Sequence, residues 1–313
     1  MQTFQNQLLI LSDNIEKVIV GKKEVIDLAL ITLLCRGHLL IEDVPGVGKT
    51  MLARSIANSL ALRFKRVQFT PDLLPSDITG VSIFNQKAGE FEFKPGPIFT
   101  NILLTDEINR ATPRAQSSLL ESMEELQVTA DGKTYRLPSI FMVIATQNPI
   151  ELQGTYPLPE AQLDRFFMRI KVGYPSIDQE VRVMEMQIKA HPIHSVAAVM
   201  TEEELRAIQS AVTQVYIEKS VKEYIAKLVD ATRQHPDLIL GASPRGSLGL
   251  MRASQALALL KHSDFVEPSM VKQVAKPVLA HRMIVKPQSK LKGGTEEKVI
   301  EEVLNRIPVP VEK

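Results

Sequence analysis

The stretch Ile41–Thr50, IEDVPGVGKT, decides how this chain is read. Gly48, Lys49 and Thr50 close a phosphate-binding loop of the form Gly, four residues, Gly-Lys-Ser/Thr, but Asp43 stands where the first glycine belongs. Ahead of the loop, HLLIE (38–42) is a short apolar run of strand type; behind it, KTMLARSIANSL has helical spacing from Thr50 to Leu60. A glycine turn between strand and helix presents unpaired backbone N–H groups at the positive end of the helix dipole, where phosphate binds. Lys49 is then placed for the β- and γ-phosphates and Thr50 for Mg²⁺, while Gly46 and Gly48 supply the turn that Pro45 stiffens. Asp43 fits if its backbone angles are ordinary. The alternative is a glycine turn that binds nothing.

A second stretch weighs against that alternative. Asn101-Ile102-Leu103-Leu104-Thr105-Asp106-Glu107 is an apolar strand ending in two acids. A Mg²⁺-nucleotide site needs this of its neighbouring strand: Asp106 to hold the metal, through water, and Glu107 to orient and polarise the attacking water. Alone, such a strand end is common. Paired with the loop, it specifies a nucleotide site.

Around these stretches the chain has two textures. Up to about Tyr174, strand-like runs (38–42, RVQF at 66–69, 101–107, IFMVIAT at 140–146) alternate with helical patterns, the signature of a buried parallel sheet in an α/β layer structure. Two segments interrupt the alternation as hairpins: residues 81–99, turning near Ala88-Gly89, and residues 126–138, with Asp131-Gly132 as a type I′ turn signal. From Ser176 onward helical spacing dominates. Thr201–Glu204 forms a capping box before Leu205, Ile208, Val212 and Val215; Ser220 opens a second helix, Ser243-Pro244 a third, and Val271, Val274, Ala275, Val278 and Leu279 mark a fourth. The reading is an α/β core over 1–175 and a helical domain over 176–313, with a frayed, charged tail near KLKGGTEEK.

Bulk properties narrow the functions. The 313 residues carry a formal net charge of +1, 5% aromatics and no tryptophan, which argues against nucleic-acid binding by charge or by stacking. The N-terminus has neither the basic region nor the cleavage site of a signal peptide, and the longest uncharged run, 137–150, is too short to span a bilayer. A lone cysteine, Cys35, flanked by Leu33 and Leu34, reads as a reduced, buried thiol of a cytoplasmic protein.

Together these motifs resemble the AAA+ ATPases, and within them the MoxR family. The resemblance runs from about Val18 to Arg282 and is carried by VIVGKKEVIDLALITLLCRGHLLIEDVPGVGKT, LLTDEINRATPRAQSSLLESMEE, ATQNPIELQGTYPLPEAQLDRF and GASPRGSLGL. In that family aspartate often replaces the first loop glycine, so the resemblance implies a working loop. It implies an AAA+ fold, a central parallel sheet flanked by helices with a small C-terminal helical lid, that binds ATP or ADP with Mg²⁺ and hydrolyses ATP. Val20 and Gly21 would contact adenine; Pro45, Gly46, Val47, Gly48, Lys49, Thr50 and Met51 would cradle the phosphates; Thr50 and Asp106 would serve the metal. Glu107 would be catalytic, with Asn148 as the polar sensor near the γ-phosphate. Arg165 resembles the arginine finger given to a neighbouring subunit, against the plainer reading of a surface arginine paired with Asp164. Arg245 resembles the lid's sensor arginine, acting in its own subunit or across the interface, and Arg110 a further interface arginine.

The hairpins match inserts that project toward substrates. The implied partners are further copies in a ring, a hexamer by analogy, and client protein complexes, with a von Willebrand factor A domain protein among the candidates. The competing readings are a nucleic-acid motor, since relatives with the same inserts move DNA, and a nucleotide-gated scaffold without turnover.

Overall fold

Five runs of the chain pair as one parallel sheet in the computed structural model, which describes residues 2–87, 89–149, 154–188 and 190–310. In chain order the strands are β1 (Leu39–Glu42), β2 (Phe64–Gln68), the hairpin β3 (Gly80–Asn85) and β4 (Glu90–Pro95), β5 (Ile102–Asp106), a second hairpin β6 (Gln127–Ala130) and β7 (Lys133–Arg136), β8 (Met142–Gln147) and β9 (Met168–Ile170). The sheet runs β2-β5-β8-β1-β9, every pair parallel. Side chains alternate across it. Leu39, Ile41, Ile102, Leu104, Met142 and Ile144 enter one apolar layer, and Leu40, Leu103, Val143 and Ala145 the other. Burial on both faces explains why β1, β5 and β8 read as continuous apolar runs.

The first layer is covered by α1 (Gln2–Glu16), α2 (Lys23–Leu34) and α3 (Lys49–Ser59). After α4 (Pro75–Thr79), α5 (Pro113–Glu125) covers the second layer through Ala115, Leu119, Leu120 and Met123, and the short α6 (Glu160–Leu163) follows. The helical part comprises α7 (Ile177–Gln187), α8 (Glu202–Val212), α9 (Lys219–Arg233), α10 (Pro244–Leu260), α11 (Pro268–Leu279), α12 (Pro287–Leu291) and α13 (Glu296–Arg306), with a small antiparallel pair, β10 (Leu238–Leu240) and β11 (Ile284–Val285). Its apolar residues join the first layer without a break, because α10 packs on α1 and α2. The buried Arg282 adds a polar clamp: Nε donates to Asp164 Oδ1 at 2.9 Å, and the remaining N–H groups reach the carbonyls of Phe166, Phe167 and Val278.

Several boundaries shift from the sequence reading. Strand β2 begins at Phe64, ahead of the RVQF run, and α3 begins at Lys49. Helix α9 is entered from Glu218, so Ser220 lies inside it; α8 and α10 start at the expected Thr201 and Ser243 caps. The tail is ordered into α12 and α13. Thr295 Oγ1 caps α13 by accepting from Lys298 N at 3.2 Å, and Val299, Ile300 and Val303 are buried. Its charged residues hid that apolar face. Asp131 (φ +50°) and Gly132 (φ +75°) form the left-handed turn expected of the second hairpin; Ala88, at the first hairpin's turn, lies outside the described residues. Among the described residues no helix is long and apolar enough to cross a membrane. Cys35 is half-buried, with Sγ donating to Arg252 O at 3.4 Å, and burial holds its thiol well above the usual range.

Candidate active site

Parallel pairing brings the carboxyl ends of the strands to one edge: Gln68 of β2 sits beside Asp106 of β5, and Glu42 of β1 beside Gln147 of β8. Ligands of open α/β sheets bind at this edge, where the strand order reverses. The loop after β1 carries Gly46 (φ +86°) and Gly48 (φ +90°), and a Cβ at either would meet nothing within 4 Å. Their need for glycine is therefore one of backbone angle, not crowding. Asp43 has no such angle, so the first loop position tolerates a side chain.

A cleft of about 340 Å³ opens over this loop, lined by Pro45, Gly46, Gly48, Lys49, Thr50, Met51, Arg66, Gln68, Asp106, Glu107, Thr146 and Asn148. Lys49, Thr50, Asp106, Glu107 and Asn148, drawn from three strand ends, thus meet as the sequence suggested. Lys49 Nζ donates to Asp43 O at 2.6 Å. Burial pulls its ammonium below the ordinary range, against Asp43, Asp106 and Glu107, which favour the charge.

Three lining residues were not foreseen. Arg66 Nε donates to Asp106 Oδ2 at 2.6 Å, and Gln68 Nε2 donates to Glu107 Oε2 at 2.7 Å. Thr146 Oγ1 accepts from Glu107 N at 3.0 Å and donates to Asp106 Oδ1 at 3.1 Å. Polar side chains at the carboxyl end of a sheet strand were the available signal, but only the strand register shows that they face the two acids. Glu107 itself has φ +55°, a left-handed angle uncommon outside glycine and concentrated at functional sites. Arg110 Nη1 donates to its Oε2 at 3.1 Å, which puts Arg110 on Glu107 of its own chain.

Both oxygens of Asp106 are engaged, and the nearby donors, Asp106 and Thr50, are hard oxygens. This set suits a Mg²⁺ ion that keeps much of its water shell and meets Asp106 through water. Thr50 would offer its hydroxyl directly.

Behind the loop lies an apolar cavity of about 250 Å³, sharing Gly46, Gly48 and Met51 with the cleft and adding Val18, Ile19, Val20, Val47 and, from α7, Val183, Met186 and Gln187. A polar cleft joined to an apolar cavity across a glycine loop has the shape of a nucleotide: phosphates on one side, base on the other. Gly21 (φ +66°) stands in the chain between the lining residues Val20 and Lys22, its carbonyl accepting from Gln179 Nε2 at 3.0 Å.

Arg165 and Arg245 are elsewhere. With Glu124, Asp164, Arg252 and Arg282 they line a separate hollow of about 320 Å³. One carboxylate holds both: Glu124 Oε2 lies 3.3 Å from Arg165 Nη2, and Oε1 accepts from Arg245 Nη2 at 2.6 Å. Asp164 pairs with Arg282 through Oδ1 and lies 3.9 Å from Arg245 Nη1 through Oδ2, so the ion pair of Arg165 is with Glu124 rather than with the expected Asp164. His38 supports this corner. Its Nε2–H donates to Met123 O at 3.2 Å, next to Glu124, while Nδ1 accepts from Val143 N at 3.0 Å. Burial pushes the imidazole down to about 4.

Comparison with known proteins agrees with this architecture. Residues 38–168 match the ATPase family associated with various cellular activities (AAA), and residues 230–303 match the AAA lid domain. The chain is 52% identical over 301 residues to the uncharacterized protein YeaC of Bacillus subtilis, covering 96% of this chain and 94% of that one. It is 39% identical to Chaperone MoxR1 of Mycobacterium tuberculosis over 95% of this chain and 80% of the relative. A crystal structure from Cytophaga hutchinsonii, described as a "putative ATPase", superposes with a TM-score of 0.92 at 38% identity, covering 99% of this chain and 97% of that one.

Proposed function

This chain belongs to the MoxR family of AAA ATPases, and on that premise we propose that it hydrolyses Mg·ATP at sites shared between ring neighbours and uses the energy to remodel or mature partner protein complexes. It is an ATPase by family; the division of labour among its residues is the proposal. Lys49 and the loop amides bind the β- and γ-phosphates, and Thr50 and Asp106 hold Mg²⁺, which neutralises phosphate charge when bound. Glu107 accepts the proton of the attacking water, which Asn148 helps to align. Adenine lies in the apolar cavity against Val20, Gly21, Val47 and Met51.

One observation carries the shared site. Arg165 and Arg245 sit together on Glu124, and neither lines the cleft of Lys49 and Glu107. Two guanidiniums held by one carboxylate away from the cleft of their own chain suit a neighbour's γ-phosphate, and both are assigned here to act across the interface. This favours a ring, and by family analogy a hexamer. Client engagement is assigned to the first hairpin, where Val81, Phe84 and Phe91 are exposed and Phe84 and Phe91 meet edge to face at 5.3 Å. The name of the mycobacterial relative, Chaperone MoxR1, supports a protein client over nucleic acid. A von Willebrand factor A domain partner is a candidate client or adaptor on analogy alone.

The test is complementation between two inactive variants. Arg165→Ala should bind ATP normally and hydrolyse it roughly 10³–10⁵-fold more slowly, the usual contribution of a finger arginine. Glu107→Gln should be slow for lack of a base. Mixed, they should regain part of the activity, because some interfaces pair an intact Glu107 with an intact Arg165, and dilution should abolish the gain. Mixed rings without activity would show that Arg165 does not act in trans.

A further inference from the structure

Asp43 does more than tolerate the glycine position of the phosphate loop. Its side chain is buried and accepts three backbone N–H groups: Oδ1 from Val44 at 2.8 Å, and Oδ2 from Val172 at 2.7 Å and Gly173 at 2.6 Å. Val44 belongs to the loop. Val172 and Gly173 lie between β9 and α7, on the segment that joins the α/β core to the helices. Its main chain is held as firmly, with Asp43 N donating to Gln147 O at 3.1 Å and Asp43 O accepting from Lys49 Nζ. A buried carboxylate is costly unless its oxygens are satisfied, and charge-assisted bonds of this length are the strong ones. Glycine, which the loop pattern asks for, could make none of the three side-chain bonds.

Two neighbouring ties run the same way. Lys22 Nζ donates to Tyr174 O at 2.8 Å, and Gln179 Nε2, at the start of α7, donates to Gly21 O. Helix α7 then lines the apolar cavity through Val183, Met186 and Gln187. The connection is thus pinned to the nucleotide-contacting loops at Val172, Gly173, Tyr174 and Gln179, and Asp43 is the pin inside the phosphate loop itself.

We propose that Asp43 is a positioning residue that makes the phosphate loop and the core-to-lid connection one mechanical unit, so that nucleotide held by the loop sets the position of α7. The inference rests on the loop being the nucleotide site. Without the pin, the loop still has Gly46, Gly48 and Lys49 to bind phosphate, but α7 no longer follows what is bound.

The experiment compares the full-length wild type with Asp43→Gly and Asp43→Asn. Asparagine keeps an oxygen for Val172 and Gly173 and turns its amide toward Val44, so it is the milder lesion. ADP affinity is measured by calorimetry, kcat and KM for ATP by steady-state kinetics, and the response of residues 172–187 by hydrogen exchange with and without ADP. The expected result is ADP affinity within about threefold of wild type and kcat lowered about 3- to 30-fold with little change in KM, the range of couplings carried through packed networks. ADP-induced protection of 172–187 should be present in wild type, reduced in Asp43→Asn and lost in Asp43→Gly. Wild-type kcat and wild-type protection in Asp43→Gly would overturn the proposal, as would losses in affinity and kcat that merely track loss of folded protein by circular dichroism. Failure of the wild type to bind ADP would overturn the nucleotide reading instead, and the wild-type arm alone reveals it.

Discussion

His38 offers the sharpest physical test because its environment fixes its protonation. The ring is buried, Nδ1 already accepts from Val143 N, and Nε2–H already donates to Met123 O. A second proton on Nδ1 would face the Val143 N–H at 3.0 Å inside the core. The folded-state pKa accordingly falls from 6.5 to about 4. In the unfolded chain His38 titrates near 6.5, so between these values the unfolded state binds the proton and the folded state does not. Stability therefore rises with pH across this window and is lost as pH falls through it. The gap of about 2.5 units at ~1.36 kcal/mol per unit gives about 3 kcal/mol lost between pH 7 and pH 4. Against a total of roughly 5–15 kcal/mol, that is a large share.

The variant His38→Gln has an oxygen for Val143 and an amide for Met123 but no titrating group. Urea unfolding at a series of pH values should show the wild type losing about 3 kcal/mol more than His38→Gln from pH 7 to pH 4. Other titrating groups, including the buried His281, are common to both proteins and cancel in the difference. Parallel stability curves would refute the argument, whatever constant offset the glutamine introduces.

Two further outcomes test the cleft directly. Lys49→Ala should leave the fold intact and weaken ATP about 10- to 150-fold by titration calorimetry, the loss of charge-assisted hydrogen bonds of ~1.5–3 kcal/mol; unchanged affinity would remove the loop from the site. Glu107→Gln retains an oxygen for Gln68 and Arg110, so it should bind Mg·ATP while single-turnover hydrolysis falls about 10²–10⁴-fold; a wild-type rate would move the base to another residue.

The local chemistry was legible in the sequence because it is written in contiguous residues. A strand, a glycine turn and a lysine at a helix start need only their immediate neighbours, so IEDVPGVGKT and the two acids at the end of β5 announced themselves, as did the caps at Thr201 and Ser243. Apolar runs gave four of the five sheet strands, the three-residue β9 being too short to show as a run, and the resemblance gave the lid. Tertiary structure decided what distant segments do to one another. Only the parallel register sets Arg66 and Gln68 against Asp106 and Glu107, since nothing in FKRVQ says which neighbour its side chains meet. Only packing brings Arg165 and Arg245, 80 residues apart, onto Glu124, or makes Asp43 an acceptor for amides roughly 130 residues away. Backbone amides carry no residue identity, so a side chain that seeks them leaves no mark in the sequence of its partner. For that reason Asp43 reads as a departure from a pattern along the chain and as a tether in the fold.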